Sequence, residues 1–88
     1  MVVGRSSIVA SFGGITIKMF PLNHFPPHFH AEYVGKRITL RISDLHVLSG
    51  SFPPPQLAEL VEWARLRQPA LVANWERIRR GEYPDEIE

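Results

Sequence analysis

From Ser6 to Phe12 and from Ile15 to Phe20 the chain has two short runs rich in apolar and β-branched residues, and Gly13-Gly14 separates them. A period of two marks a half-buried strand, and a Gly pair accepts the positive φ of a tight turn. A β-hairpin is predicted in which Phe12 faces Ile15, Ala10 faces Ile17 and Ile8 faces Met19 on the apolar side. Val9, Ser11, Thr16 and Lys18 share the opposite side. The stretch from Pro21 to Pro27 holds three prolines, which fix φ and remove donors, so it reads as a stiff loop that admits a cis proline.

A second alternating pair follows, His28 to Tyr33 and Lys36 to Ile42, hinged at Val34-Gly35. Pairing outward from that hinge sets Glu32 opposite Arg37, Ala31 opposite Ile38, His30 opposite Thr39, Phe29 opposite Leu40 and His28 opposite Arg41. Phe29, Ala31, Ile38 and Leu40 then face a core, and His28, His30, Glu32, Arg37, Thr39 and Arg41 face away from it. Val is a poor first residue for a two-residue primed turn, so a four-residue loop over Tyr33 to Lys36, which keeps the same pairing, is the alternative. Ser43-Asp44 reads as a turn, and His46 to Leu48 as a short fifth strand.

After Gly50 the period changes to that of a helix. Pro53 to Pro55 suit a first turn, and Leu57, Leu60, Val61 and Ala64 form a buried stripe widened by Trp63 and Leu66. Pro69 starts a second helix, in which Leu71, Val72, Trp75 and Ile78 repeat the spacing until Gly81 caps it. Glu62 with Arg65, and Glu76 with Arg80, are spaced for surface ion pairs. The expected fold class is α+β over a single domain, 1–88. Residues 1–50 form β hairpins in an antiparallel sheet of four to five strands. Residues 51–81 form a helix pair packed on one face of it, and residues 82–88 form an acidic tail.

Composition narrows the function by exclusion. With 44% hydrophobic and 22% charged residues the chain can build a core, and a net charge of +1 gives no excess that would mark a nucleic-acid binder. There is no cysteine, hence no disulfide, thiol nucleophile or Cys-based zinc site, and the cytoplasm is the expected location. No apolar run is long enough for a membrane span or a signal peptide. Ser-His-Asp spacing, a Gly-rich phosphate loop and a zinc-finger pattern are all missing.

One dense chemical cluster remains. His24, His28 and His30 fall within seven residues, and strand alternation turns His28, His30 and Glu32 to the face shared with Arg37, Thr39 and Arg41. Four roles stay open for it. His24, His28, His30 and Glu32 could ligate a divalent transition metal, although the neighbouring arginines oppose a further cation. Residues 1–50 carry five Lys and Arg against two Asp and Glu, a balance of +3, whereas residues 51–88 carry five against seven. The stripe could therefore bind an anion, RNA or DNA, with Phe25 offering a stacking surface. As a small RNA-cleaving or metal-dependent enzyme it would use His28 and His30 as acid and base, with Arg41 or Arg37 stabilising developing charge. The plainest role is a solvated polar sheet face.

The strings Phe12 to Met19 (Phe-Gly-Gly-Ile-Thr-Ile-Lys-Met) and Asn23 to Tyr33 (Asn-His-Phe-Pro-Pro-His-Phe-His-Ala-Glu-Tyr) resemble domain-of-unknown-function family 4160. Those are small bacterial proteins with an Asp-His-x-Pro-Pro-His-Phe-His block after a Gly-containing hairpin, ending in Leu-rich helices with a Trp in each. His24, Pro26, Pro27, His28, Phe29 and His30 coincide with the block, and Trp63 and Trp75 with the helical tryptophans. Two positions depart: Asn23 stands for the usual Asp and Phe20 for the usual Tyr. The resemblance implies no established activity. It implies a small protein partner encoded nearby, in a pair suspected of being a toxin and its antitoxin, and so an interaction module acting through His24, His28, His30, Glu32, Arg37, Thr39 and Arg41. A homodimer through an exposed edge strand is a further expectation.

Overall fold

The computed structural model describes residues 7–20 and 24–88. Five strands come first, β1 (Ile8–Phe12), β2 (Ile15–Lys18), β3 (His28–Tyr33), β4 (Lys36–Arg41) and β5 (Val47–Gly50). Two helices follow, α1 (Pro54–Arg65) and α2 (Gln68–Arg79). The strands form one antiparallel meander in sequence order, so the sheet has β1 at one edge and β5 at the other. Sequence and structure agree on the α+β class.

The β3–β4 pairing is the predicted one at every position, from Glu32 opposite Arg37 to His28 opposite Arg41. Phe29, Ala31, Ile38 and Leu40 are buried, and they join Ile15, Ile17 and Met19 of the first hairpin. Leu60, Trp63 and Ala64 of α1 and Leu71, Trp75 and Ile78 of α2 complete the same cluster. Each such large side chain contributes on the order of 2 kcal/mol by leaving water. Phe12 stacks on Trp63 with ring centroids 5.0 Å apart, which fixes α1 against the first hairpin.

Three local expectations are corrected, and one turn is settled. In β1 the pairing slips between Ile8 and Ala10, so that Val9 is an extra residue opposite β2. The bulge turns Val9 into the core at 2% exposure and Ile8 out to 44%, the reverse of strict alternation. The β3–β4 connection keeps the predicted hinge as a two-residue turn, with φ of 46° at Val34 and 78° at Gly35. Leu66 and Val72 are exposed: Leu66 caps α1 beyond its last turn, and Asn74 fills the stripe where Val72 points away. Neither Glu62 with Arg65 nor Glu76 with Arg80 forms an ion pair; Arg80 instead reaches Glu82 at 3.0 Å.

The acidic stretch after α2 is a packed strap. Gly81 ends the helix with φ 81°, its N–H donating to Ile78 and that of Glu82 to Arg77, the paired bonds of a glycine cap. Asn74, 2% exposed, donates from Nδ2 to the carbonyl of Asp85 and accepts the Asp85 N–H at Oδ1, both at 2.8 Å. The N–H of Ile87 then donates to the carbonyl of Val9 at 2.7 Å. Ser6 and Pro21 to Asn23 lie outside the described residues. No helix among the described residues is long and apolar enough to cross a membrane.

Candidate functional site

The face of the sheet turned away from the helices is built in rows by the strand register. Lys18, His30, Thr39 and Ser49 lie side by side across β2, β3, β4 and β5. Thr16, Glu32 and Arg37 form the next row, and His28 pairs with Arg41 in a third. Alternation alone carries these side chains to one side.

The charges on this face are matched within it. Glu32 receives Lys18 Nζ at 3.2 Å and lies 3.4 Å from Arg37 Nε. Arg41 grips Asp44 with both prongs, Nε to Oδ1 at 2.8 Å and Nη2 to Oδ2 at 2.6 Å. The same Oδ1 accepts the backbone N–H of His46. The Arg41 hydrogen bond, and after it that N–H, hold the Asp44 carboxyl far below the usual carboxylate range, and Arg41 is raised in return.

The histidines are held by their Nδ1 atoms. His28 is only 7% exposed, and its Nδ1 lies 2.7 Å from the carbonyl of Pro26. A carbonyl only accepts, so Nδ1 of His28 carries a proton and donates it to Pro26. His30 Nδ1 meets the Thr39 hydroxyl at 3.0 Å. Burial, then the neighbouring His28 and Arg37, push the His30 imidazole below its ordinary value of 6.5, so it is neutral at pH 7. Ring contacts link His24 to His28 at 6.0 Å, His28 to His30 at 5.1 Å and His30 to Phe20 at 5.2 Å. Trp75 of α2 walls His28 at 5.2 Å and meets Phe25 at 6.2 Å.

Two adjoining clefts open here. The larger, about 480 Å³, is lined by Lys18, Phe20, His30, Glu32, Arg37, Thr39, Ser49 and Gly50 among others. The smaller, about 250 Å³, lies between the loop residues His24, Phe25 and Pro26 and the side chains of His28, His30, Thr39, Leu48 and Ser49. His30, Thr39 and Ser49 are common to both.

The structure thus brings His24, His28, His30 and Thr39 together and sets Glu32 and Arg37 along the next row. Arg41 lines neither cleft, because Asp44 holds it. The candidate metal set of His24, His28, His30 and Glu32 is not assembled: no three His, Asp or Glu among the described residues are grouped to hold an ion. Glu32 is engaged by Lys18 and Arg37, and two of the imidazoles spend Nδ1 on Pro26 and Thr39. Sequence reasoning missed Lys18, Phe20, Ser49, Leu48 and Trp75 as parts of the site. Lys18 and Ser49 were reachable only through the β2–β3 and β4–β5 registers, which no short turn dictates. Trp75 carries a core signal at helical spacing and touches His28 as well.

A family model described as "Domain of unknown function (DUF4160)" matches residues 14–76, from the turn before β2 into the last turn of α2. No curated protein and no solved structure matches the chain.

Proposed function

The chain belongs to the DUF4160 family, and from that premise we propose that it is an interaction module of the bacterial cytoplasm whose polar sheet face receives a small protein partner. The partner would be the product of an adjoining gene in a pair of toxin–antitoxin type. The gene-pair element rests on the family resemblance alone, and the lack of cysteine agrees with a reducing compartment.

The observation that carries the docking reading is the charge matching of the face. Lys18 and Arg37 share Glu32, and Arg41 is held bidentately by Asp44. A phosphate or nucleic-acid surface needs cations whose donors are available, and its affinity grows with their number. Here two carboxylates offset two of the three cations and leave a surplus of one, His30 is neutral, and the clefts are bordered by the exposed apolar residues Phe20, Phe25 and Leu48. Largely offset charge around apolar side chains suits a protein partner. Titrating the full chain with the adjoining gene's product by calorimetry tests the reading. Micromolar association, weakened by Phe20→Glu and by Arg37→Glu, is expected; no heat at high micromolar concentration would overturn it.

A second reading has one observation in its favour. His28 and His30 lie 5.1 Å apart by ring centroid, and two neighbouring imidazoles are the raw material of an acid–base pair for RNA cleavage. Loss of RNA cleavage in a folded His28→Ala, His30→Ala variant is its test, and cleavage that persists in that variant removes it.

A further inference from the structure

The two edges of the sheet differ in how they are finished, and the unfinished one borders the clefts. β5 hydrogen-bonds only to β4 among the described strands, and all of its residues are exposed. Its sequence, Val-Leu-Ser-Gly, has neither charge nor proline, the devices that ordinarily keep an edge from pairing. We propose that this edge takes up an extended acidic segment of another protein by strand addition. This deepens the docking reading above and rests on it: it names how the partner binds and what chemistry it carries.

Position supports the inference first. Ser49 lines both clefts, Leu48 the smaller and Gly50 the larger. A strand laid beside β5 sends alternate side chains toward those openings, while its backbone meets the vacant side of the ladder. Charge supports it next. At the Gly50 end stands Arg37, its side chain 83% exposed, held to Glu32 only across 3.4 Å and sharing that carboxylate with Lys18. Lys36 precedes it and is exposed. At the Val47 end lie His46 and the Arg41–Asp44 pair. Both carboxylates near the edge, Glu32 and Asp44, are therefore already matched, and the surplus is positive.

The same surplus argues against a second copy as occupant. Antiparallel pairing of β5 with itself would bring Arg37 of one copy toward Arg41 of the other, cation toward cation. An acidic strand meets no such opposition. Within the chain, the acidic stretch after α2 reaches the opposite edge through a single backbone bond, from the Ile87 N–H to the Val9 carbonyl.

The test uses the full chain, labelled with ¹⁵N, and a short peptide alternating Val with Glu. The expected result is a set of amide shifts centred on Val47 to Gly50 that saturates. A peptide with Lys in place of Glu should give none. Arg37→Glu and, separately, Leu48→Asp should each weaken binding by about tenfold or more while the rest of the spectrum stays native. N-methylation of alternate peptide amides should abolish binding, because the ladder bonds are lost. Absence of shifts at β5, or equal binding of the Lys peptide, would overturn the proposal, and so would a concentration-dependent dimer that protects β5, which would give the edge to a second copy. If the adjoining gene's product binds but leaves the β5 amides unshifted, strand addition fails and the docking reading stands. If that product does not bind while the peptide does, the partner assignment fails and the edge site stands.

Discussion

At one edge of the sheet Val9 doubles up in β1, and its carbonyl takes the N–H of Ile87 from a strap that Asn74 pins to α2. At the other, Val47 to Gly50 pair only with β4 among the described strands, and all four residues are exposed. An exposed row of backbone donors and acceptors is a template for pairing, so proteins that function alone blunt both ends. This chain blunts one, with a bulge and a bonded segment, and leaves the end beside the histidine clefts unguarded. The contrast locates where another chain is admitted, and it can be broken from either side.

The largest effect is expected at Gly50. Its φ is 81°, and a Cβ there would sit against the carbonyl oxygen of Arg37, backbone that cannot step aside without releasing β5. Gly50→Ala should cost about 3 kcal/mol, combining left-handed strain with overpacking. It should raise amide exchange in β5 while Ile87 stays protected. A denaturation midpoint unchanged from the parent would mean that β5 contributes little to the fold, and the open edge would lose its significance.

Asn74→Ala attacks the closed edge. Two buried hydrogen bonds to the backbone of Asp85 disappear, at about 1 kcal/mol each, for a loss of about 2 kcal/mol in urea unfolding. Exchange of the Ile87 amide should accelerate while β5 is unchanged, and the uncovered β1 should make the protein associate with rising concentration. If Ile87 stays protected, the burial of Pro84 and the packing of Ile87 hold the strap without Asn74.

These two positions also mark how far the chain can be read from its sequence. The β3–β4 register was legible because a short hinge and strict alternation leave one solution, and it placed His28, His30, Glu32, Arg37, Thr39 and Arg41 on one face. The bulge at Val9 was not legible, since nothing in Ile-Val-Ala marks an inserted residue, and the Val9 carbonyl bonds to Ile87 from far along the chain. Asn74 reads as a polar residue on a helix surface, and only the fold reveals that its amide replaces a backbone partner for Asp85. Arg41 stood out as a site residue by register, but its bond to Asp44 is made three residues along, in a turn whose geometry periodicity does not encode.

Val34 tests the hinge on the open side. A β-branched residue at φ 46° is strained, and with Val34 82% exposed its side chain returns little packing. Val34→Asn, a residue suited to the first position of such a turn, should stabilise the fold by about 1 kcal/mol by thermal or urea unfolding. Because the turn ties β3 to β4, slower exchange is expected there and in β5 and none at the strap. No gain would mean that the turn pays no penalty for its valine and that the register alone sustains it.

The smallest effect should come from acid, and its sign separates the two halves of the sheet. His30 is folded with its pKa depressed below 6.5, first by burial and then by His28 and Arg37, with Glu32 opposing them weakly. Between the folded value and 6.5 the unfolded chain therefore binds more protons than the folded one, and stability rises with pH. The contribution is whole above about pH 6.5, the unfolded value, and is lost as pH falls through the folded value. Protonation would also place a cation between Arg37 and His28, on the side of the sheet that bears β5. Exchange measured at pH 7 and again below pH 6 should thus loosen β3, β4 and β5 more than the strap on β1, and His30→Gln should remove that difference. Uniform loosening across both edges would mean that His30 is not the source of the acid sensitivity, since Asp44 and Glu82, kept low by Arg41 and Arg80, stay ionised in this range.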